Sequence, residues 1–261
     1  MAGVRSFNYH ASAHALSGHL ARPENHLIQV QAGTSLPTMG GHHTSRVEKY
    51  RLGETLWFDS AYSHVSGSEK TETGKTIYTT LVTTAVEKLN ILDMVTADRI
   101  VVRLASSYAP GDDEAHIITL GSRFENLRIA GYKIEVELLD DLDLRLDTFD
   151  AVLKEYEKNN NFRKMTADPF EAGKLPKKVA AHEAVRCSLV KEIQPKTLPG
   201  IVRKGENGHV LVVREFGKIH LAEMQYEHGR KTLTMMRIEL GSPNGGDVTV
   251  TQGSSNGRPP G

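Results

Sequence analysis

Residues 76–110, TIYTTLVTTAVEKLNILDMVTADRIVVRLASSYAP, lead through GDDEAH (111–116) into IITLGSRFENLRIAGYKIEVEL (117–138), and this stretch decides the fold. It carries a weak internal echo. Glu87-Lys88-Leu89-Asn90-Ile91 returns as Glu125-Asn126-Leu127-Arg128-Ile129, and each copy leads into an alternating segment, Arg99–Leu104 and Lys133–Leu138. Two similar β units laid side by side give this pattern. The segment Ile77–Leu89 is the ambiguous part, because apolar residues at 77, 78, 81, 82, 85, 86 and 89 also line one helical face. Thr79, Thr80, Val82, Thr83, Thr84 and Val86 make it dense in β-branched side chains, which favours a strand.

Working outward, Ile100–Leu104 and His116–Leu120 read as strands separated by the turn Ala109-Pro110-Gly111-Asp112. Upstream, residues 5–20 form a long strand with Phe7, Tyr9, Ala11, Ala13 and Ala15 on one face. Leu27–Gln31 is a short strand, Gly33–Gly41 is turn-rich, and Val47–Val65 is a β region holding the single tryptophan, Trp57. Ser66–Lys75 (SGSEKTETGK) reads as an exposed loop. Downstream, Thr148–Lys158 is the one clear helix, with Phe149, Val152, Leu153 and Tyr156 as its apolar stripe and Asp147 or Thr148 as its cap. Residues 159–177 read as an irregular excursion, and Val179–Glu192 fits a helix or a strand equally. Gly205–Gly208 is a turn leading into strand Val210–Glu215, and residues 251–261 (TQGSSNGRPPG) read as a flexible tail.

Gly217–Leu240 has the signature of a β-hairpin closed at His228-Gly229. That register sets Ile219 opposite Ile238 and Met224 opposite Leu233. The apolar phase switches between Leu221 and Ala222, and again between Met235 and Met236. A regular strand alternates faces, so base and tip would bury opposite sides. The tip residues Ala222, Met224, Tyr226, Leu233 and Met235 are therefore a candidate interface. The competing readings are a paired bulge and a tip covered by the 159–177 excursion.

The chain has 261 residues, with 32 basic and 32 acidic side chains. That length suits a single β-rich domain over 1–250. Zero formal charge gives no drive toward nucleic acid or an anionic membrane and favours self-association. One cysteine, Cys187, excludes an internal disulfide framework. No apolar run reaches the length of a membrane helix. Residues 1–23 lack a basic start followed by an apolar stretch, so a cytoplasmic location is expected, with export or surface association as the alternative.

Candidate chemistry is thin. Gly74-Lys75-Thr76 imitates the end of a phosphate loop, but position 69, where glycine belongs, is Glu69. Asp140, Asp141, Asp143, Asp147 and Asp150 cluster without the mid-loop glycine of a calcium site, and Leu142, Leu144 and Leu146 alternate among them as on a strand. His10 and His14 lie roughly 13 Å apart along a strand, too far to share a metal. His42 and His43 are adjacent and point apart, and Cys187 with His182 makes a weak nucleophile pair in an apolar setting. No cofactor and no metal is expected.

The segments 86–103 (VEKLNILDMVTADRIVVR) and 124–138 (FENLRIAGYKIEVEL) resemble paired segments of β-rich bacterial domains, some of them in surface-anchored proteins of the choice-of-anchor type. The resemblance implies a β scaffold and carries no catalytic residues. The expected fold is mainly β, a sandwich or a short solenoid-like stack, with one covering helix at 148–158. The leading expectation for function is a non-enzymatic, self-assembling homo-oligomer joined through the C-terminal hairpin and edge strands. A carbohydrate-type ligand domain using Trp57 and Tyr62 is the alternative. An enzyme using Lys75 or the histidines comes third.

Overall fold

The computed structural model describes residues 7–22, 25–72, 74–139, 146–171, 175–180 and 183–258. β1 (Asn8–Arg22) pairs with the short β2 (His26–Gln31) and β3 (Thr34–Ser35). Four long strands follow as a meander: β4 (Gly41–Leu52), β5 (Leu56–Glu72), β6 (Lys75–Ile91) and β7 (Val95–Tyr108). β8 (His116–Thr119), β9 (Arg123–Glu125) and β10 (Arg128–Ile129) then run along the far side of β7, and β11 (Tyr132–Lys133) pairs with β10. β12 (Glu135–Leu138) leaves this sheet. After two helices come β13 (Val185–Ser188) and β14 (Val190–Gln194), the latter pairing with β12. The chain ends with β15 (Ile201–Lys204), β16 (Val210–Val213), β17 (Gly217–Glu227), β18 (Arg230–Leu240) and β19 (Gly245–Arg258).

These strands form a nine-stranded sheet, ordered β15-β16-β17-β18-β19-β1-β2, and an eight-stranded sheet, ordered β11-β10-β7-β6-β5-β4. β1 and β19 pack across β5, β6 and β7, so the core lies between two antiparallel sheets. The fold is a sandwich rather than a solenoid. Ile77–Leu89 is strand, as its β-branched side chains require.

The internal echo takes a specific form. β7 lies between the two copies, so Glu87 and Glu125 both pair with Arg99, Asn90 and Arg128 with Thr96, and Ile91 and Ile129 with Val95. Lys88 and Asn126, the second residues of the copies, both have positive φ, at 54° and 49°. The regular pairing is interrupted at this level across the sheet, through Lys49, Asp59, Lys88, Asp98 and Asn126. On β6 the core-facing residues are Tyr78, Thr80, Val82, Thr84 and Val86 before this level and Leu89 and Ile91 after it. On β7 they change from Ala97 to Ile100. One extra residue per strand keeps the apolar side facing the core beyond the crease.

The nine-stranded sheet has its own crease, through Ala15, Thr251, Met235 and Ala222. Ala222 and Thr251 have φ of 49° and 46°. This explains the phase switch in the hairpin and corrects its reading as an assembly arm. The expected register holds, with Ile219 opposite Ile238 and Met224 opposite Leu233. The inserted residue returns the tip to the same side as the base. Ala222, Met224, Tyr226, Leu233 and Met235 are all buried in the chain's own core, so they offer no surface to a partner. β13 covers the tip by pairing Val185 with Tyr226 and Cys187 with Met224. Glu114 fastens it. Its Oε2 accepts from Gly229 N at 2.9 Å, while Oε1 accepts from Phe149 N at 2.7 Å at the helix start.

The helix Phe149–Lys158 forms as its stripe predicts, with Thr148 as cap and Phe149, Val152 and Tyr156 buried. A second helix, Asn160–Met165, occupies the start of the supposed irregular excursion. Two further expectations are corrected. Ser66–Lys75 is the end of the β5–β6 hairpin rather than a loop, with hydroxyl pairs Ser68–Thr79 (3.0 Å) and Thr71–Thr76 (3.2 Å) across the ladder. Residues 251–258 are no flexible tail but part of β19, between β18 and β1. Their small side chains serve close packing. A Cβ on Gly253 would come within 2.8 Å of Val102 Cγ1 on the opposite sheet. Val179–Glu192 contains strand, in β13 and part of β14.

Candidate ligand-binding face

The outer side of the eight-stranded sheet is a regular array, because in-register residues of neighbouring strands share a face. Arg46, Tyr62, Ala85 and Val101 form one row, and Arg51, Trp57, Asn90, Thr96 and Arg128 another. Arg99 anchors the middle. Its Nη2 donates to Tyr62 Oη at 2.8 Å and its Nε lies 3.4 Å from Glu87, which also accepts from Ser60 Oγ at 2.8 Å. Arg46–Glu48 at 2.8 Å and Arg123–Glu125 at 2.7 Å flank it.

Two cavities open on this face. The first, about 350 Å³, lies at the crease. Trp57, Asn90, Thr96 and Arg128 line it from one row, and Lys88, Asp98 and Asn126 from the crease itself. Asp98 is its polar hub, taking Lys88 Nζ at 2.7 Å and Asn126 Nδ2 at 2.6 Å. Those hydrogen bonds, Lys88 first, hold the Asp98 carboxyl below the usual carboxylate range and raise the Lys88 ammonium. Arg128 donates to the backbone carbonyl of Gly131 at 3.4 Å, and its charge adds to the lowering of Asp98. The combination is a half-exposed indole beside fixed donors and acceptors.

The second cavity, about 700 Å³, lies at the other end of the same face. Ser66, Ser68, Thr79 and Ser107 supply hydroxyls, Leu81 and Ile118 supply apolar patches, and His116 stands at the rim. His116 Nδ1 bonds Asp147 Oδ2 at 2.6 Å, which orients the ring.

A third cleft, about 270 Å³, lies on the opposite side of the molecule, against β17 and β18. Arg237 there grips Glu223 with two bonds of 2.7 and 2.9 Å and Glu239 with a third of 2.5 Å. Burial raises the Glu223 carboxyl, but Arg237 and His220 outweigh it and bring it down to about 2. Arg237 rises in response to Glu223, and burial lowers His209. Every edge of the Arg237 guanidinium is engaged by Glu223 and Glu239, so Arg237 holds the fold together rather than facing a ligand.

Trp57 and Tyr62, the aromatic candidates of the sequence, lie on one face. The structure disperses the other candidates. Lys75 follows Gly74 at a hairpin turn and starts a strand, where a phosphate loop needs a helix. His42 stacks on His64 at 6.5 Å, whereas His43 Nδ1 bonds Thr34 Oγ1 at 2.6 Å. His14 is lowered by burial and bonds Ser17 at 3.1 Å. Cys187 is buried opposite Met224, and His182 lies outside the described residues. Asp147 and Asp150 engage His116 and Lys154, while Asp140, Asp141 and Asp143 lie outside the described residues. Among the described residues no cluster of His, Cys, Asp or Glu has metal-site geometry, and no helix is long and apolar enough to cross a membrane. Asp98, Asn126, Arg128 and His116 were missed. Asn126 and Arg128 lie in the echo and His116 ends the segment 111–116, whereas Asp98 carried no signal at all.

A family model described as a domain of unknown function, DUF8256, matches residues 7–227. The chain belongs to this family. The match contains both cavities of the outer face, and it ends with β17, before the two strands that join β17 to β1. No curated protein and no solved structure matches the chain.

Proposed function

We propose that this protein is a non-enzymatic, ligand-binding β-sandwich that takes a carbohydrate on the outer face of its eight-stranded sheet. The observation that carries the reading is the Trp57 cavity, where an aromatic platform stands beside Lys88, Asp98, Asn126 and Arg128. Sugars combine apolar C–H faces with radiating hydroxyls, so they are recognised by aromatic rings together with polar groups already fixed in place. Asp98 is held by two neighbours and needs little ordering to accept from a sugar hydroxyl. Calorimetric titration with a panel of oligosaccharides tests this. Saturable binding that is lost in Trp57→Ala supports it, and binding unchanged by Trp57→Ala removes it.

A second reading, homo-oligomerisation through sheet edges, keeps one specific observation. β2 and β4 each have one edge without a partner strand among the described residues, and Leu27 and Val30 on β2 are 69% and 58% exposed. Light scattering of the wild type and of Leu27→Lys/Val30→Lys decides it. An oligomer that the double variant converts to a folded monomer supports this reading, and a monomeric wild type ends it. A cytoplasmic or an exported location is compatible with either reading.

A further inference from the structure

We infer that the ligand is an extended, carboxylate-bearing glycan, a chain containing uronic acid units that lies along the outer face from the Trp57 cavity to the hydroxyl-lined groove. This rests on the carbohydrate reading above and adds the length and charge of the ligand.

Length comes from the strands. Thr79 lines the distal groove and Asn90 the Trp57 cavity, and both are on β6. Eleven steps of strand separate them, roughly 36 Å at about 3.3 Å per residue. One or two sugar rings fill a single cavity and leave the other empty, whereas a chain engages both.

Charge comes from counting partners on this face. Arg46, Arg51, Lys88, Arg99, Arg123 and Lys133 each have a carboxylate within ion-pair distance. Asp59 stands between Lys49 and Lys88 in the crease and acts on Lys88. Among the described residues, Arg103 and Arg128 have no carboxylate within 4 Å. Arg128 lines the Trp57 cavity, and Arg103 lies between the two cavities, in register with Thr83. Thr96, the partner of Arg128, precedes Arg103 by seven residues on β7, roughly 23 Å along the strand. Guanidinium groups favour planar carboxylates. Two of them without a carboxylate in ion-pair range at that spacing suit a chain with repeated acidic units, although Arg128 also acts on Asp98 from a distance and the protein as a whole has no net charge.

The test is calorimetry with oligogalacturonates of two to ten units, the matching neutral oligosaccharides and single-stranded DNA. It uses the wild type, Arg103→Gln, Arg128→Gln and Ser107→Ala/Thr79→Ala. Affinity is expected to rise with the length of the acidic chain and then level off. Arg128→Gln should weaken every acidic length by about fivefold or more, as expected for loss of a charged hydrogen bond. Arg103→Gln and the hydroxyl double variant should weaken only the long chains. Equal affinity for short and long chains, or for neutral and acidic ones, overturns the inference while the Trp57 site stands. Equal binding of DNA overturns it as unselective attraction of polyanions. Absence of binding to any sugar removes the carbohydrate reading and the inference together.

Discussion

The two sheets carry the same backbone device in opposite settings. In the nine-stranded sheet the crease through Ala15, Thr251, Met235 and Ala222 is fully buried. In the eight-stranded sheet the equivalent row presents Lys49, Asp59, Lys88, Asp98 and Asn126 to solvent or to the Trp57 cavity. Both rows preserve the core face by inserting one residue per strand. Where the outer side is covered, only small or apolar side chains fit. Where it is open, the residues turned outward are charged or polar, and the cavity lies there. A crease is thus a structural device in one sheet and the framework of a site in the other.

The contrast breaks most severely at Met235. Met235→Asp places an unpaired carboxylate in the buried crease, and thermal unfolding should show a loss of about 4 kcal/mol or more. Asp98→Ala in the open crease should leave the unfolding curve nearly unchanged while removing sugar binding. Equal destabilisation by the two would erase the distinction between the sheets.

Gly253, two residues beyond Thr251, sharpens it. Gly253→Val pushes into Val82 and Val102 on the opposite sheet, an overpacking cost of about 1–3 kcal/mol by denaturant titration.

Acid titration separates the creases further. Glu223 follows Ala222 directly, and against the upward push of burial Arg237 and His220 bring its carboxyl down to about 2, below the ordinary glutamate value of 4.5. A depressed carboxylate stabilises the fold above its unfolded pKa, and that contribution is lost as pH falls from about 4.5 through about 2. The wild type should lose stability across that window, and Glu223→Gln should flatten this part of the curve. Asp98 is depressed in the same direction but sits at the solvent-screened surface, so Asp98→Asn should leave the acid limb nearly unchanged.

Much of the scaffold was legible in the sequence. The β-branched run at 79–86 identified β6, Gly229 fixed the hairpin register, and the stripe at 149–156 located the helix. The creases were visible only as their consequences, an echo and a phase switch. They depend on positive φ at Lys88, Asn126, Ala222 and Thr251, residue types that do not announce it. The Gly/Ser-rich end suggested mobility, yet its small side chains are what close contact with Val102 demands. Trp57 could be singled out from sequence, but its cavity could not, because Asp98, Asn126 and Arg128 arrive from other strands. Glu114 was equally silent, since the Gly229 amide it holds is 115 residues away.

The most direct test of the glycan-binding face uses the single tryptophan as its own reporter. Emission from Trp57 should change saturably as an oligogalacturonate is added, and Asp98→Ala should abolish the change while the protein stays folded. Tight binding in calorimetry with no response from Trp57 would place the ligand elsewhere and contradict the account.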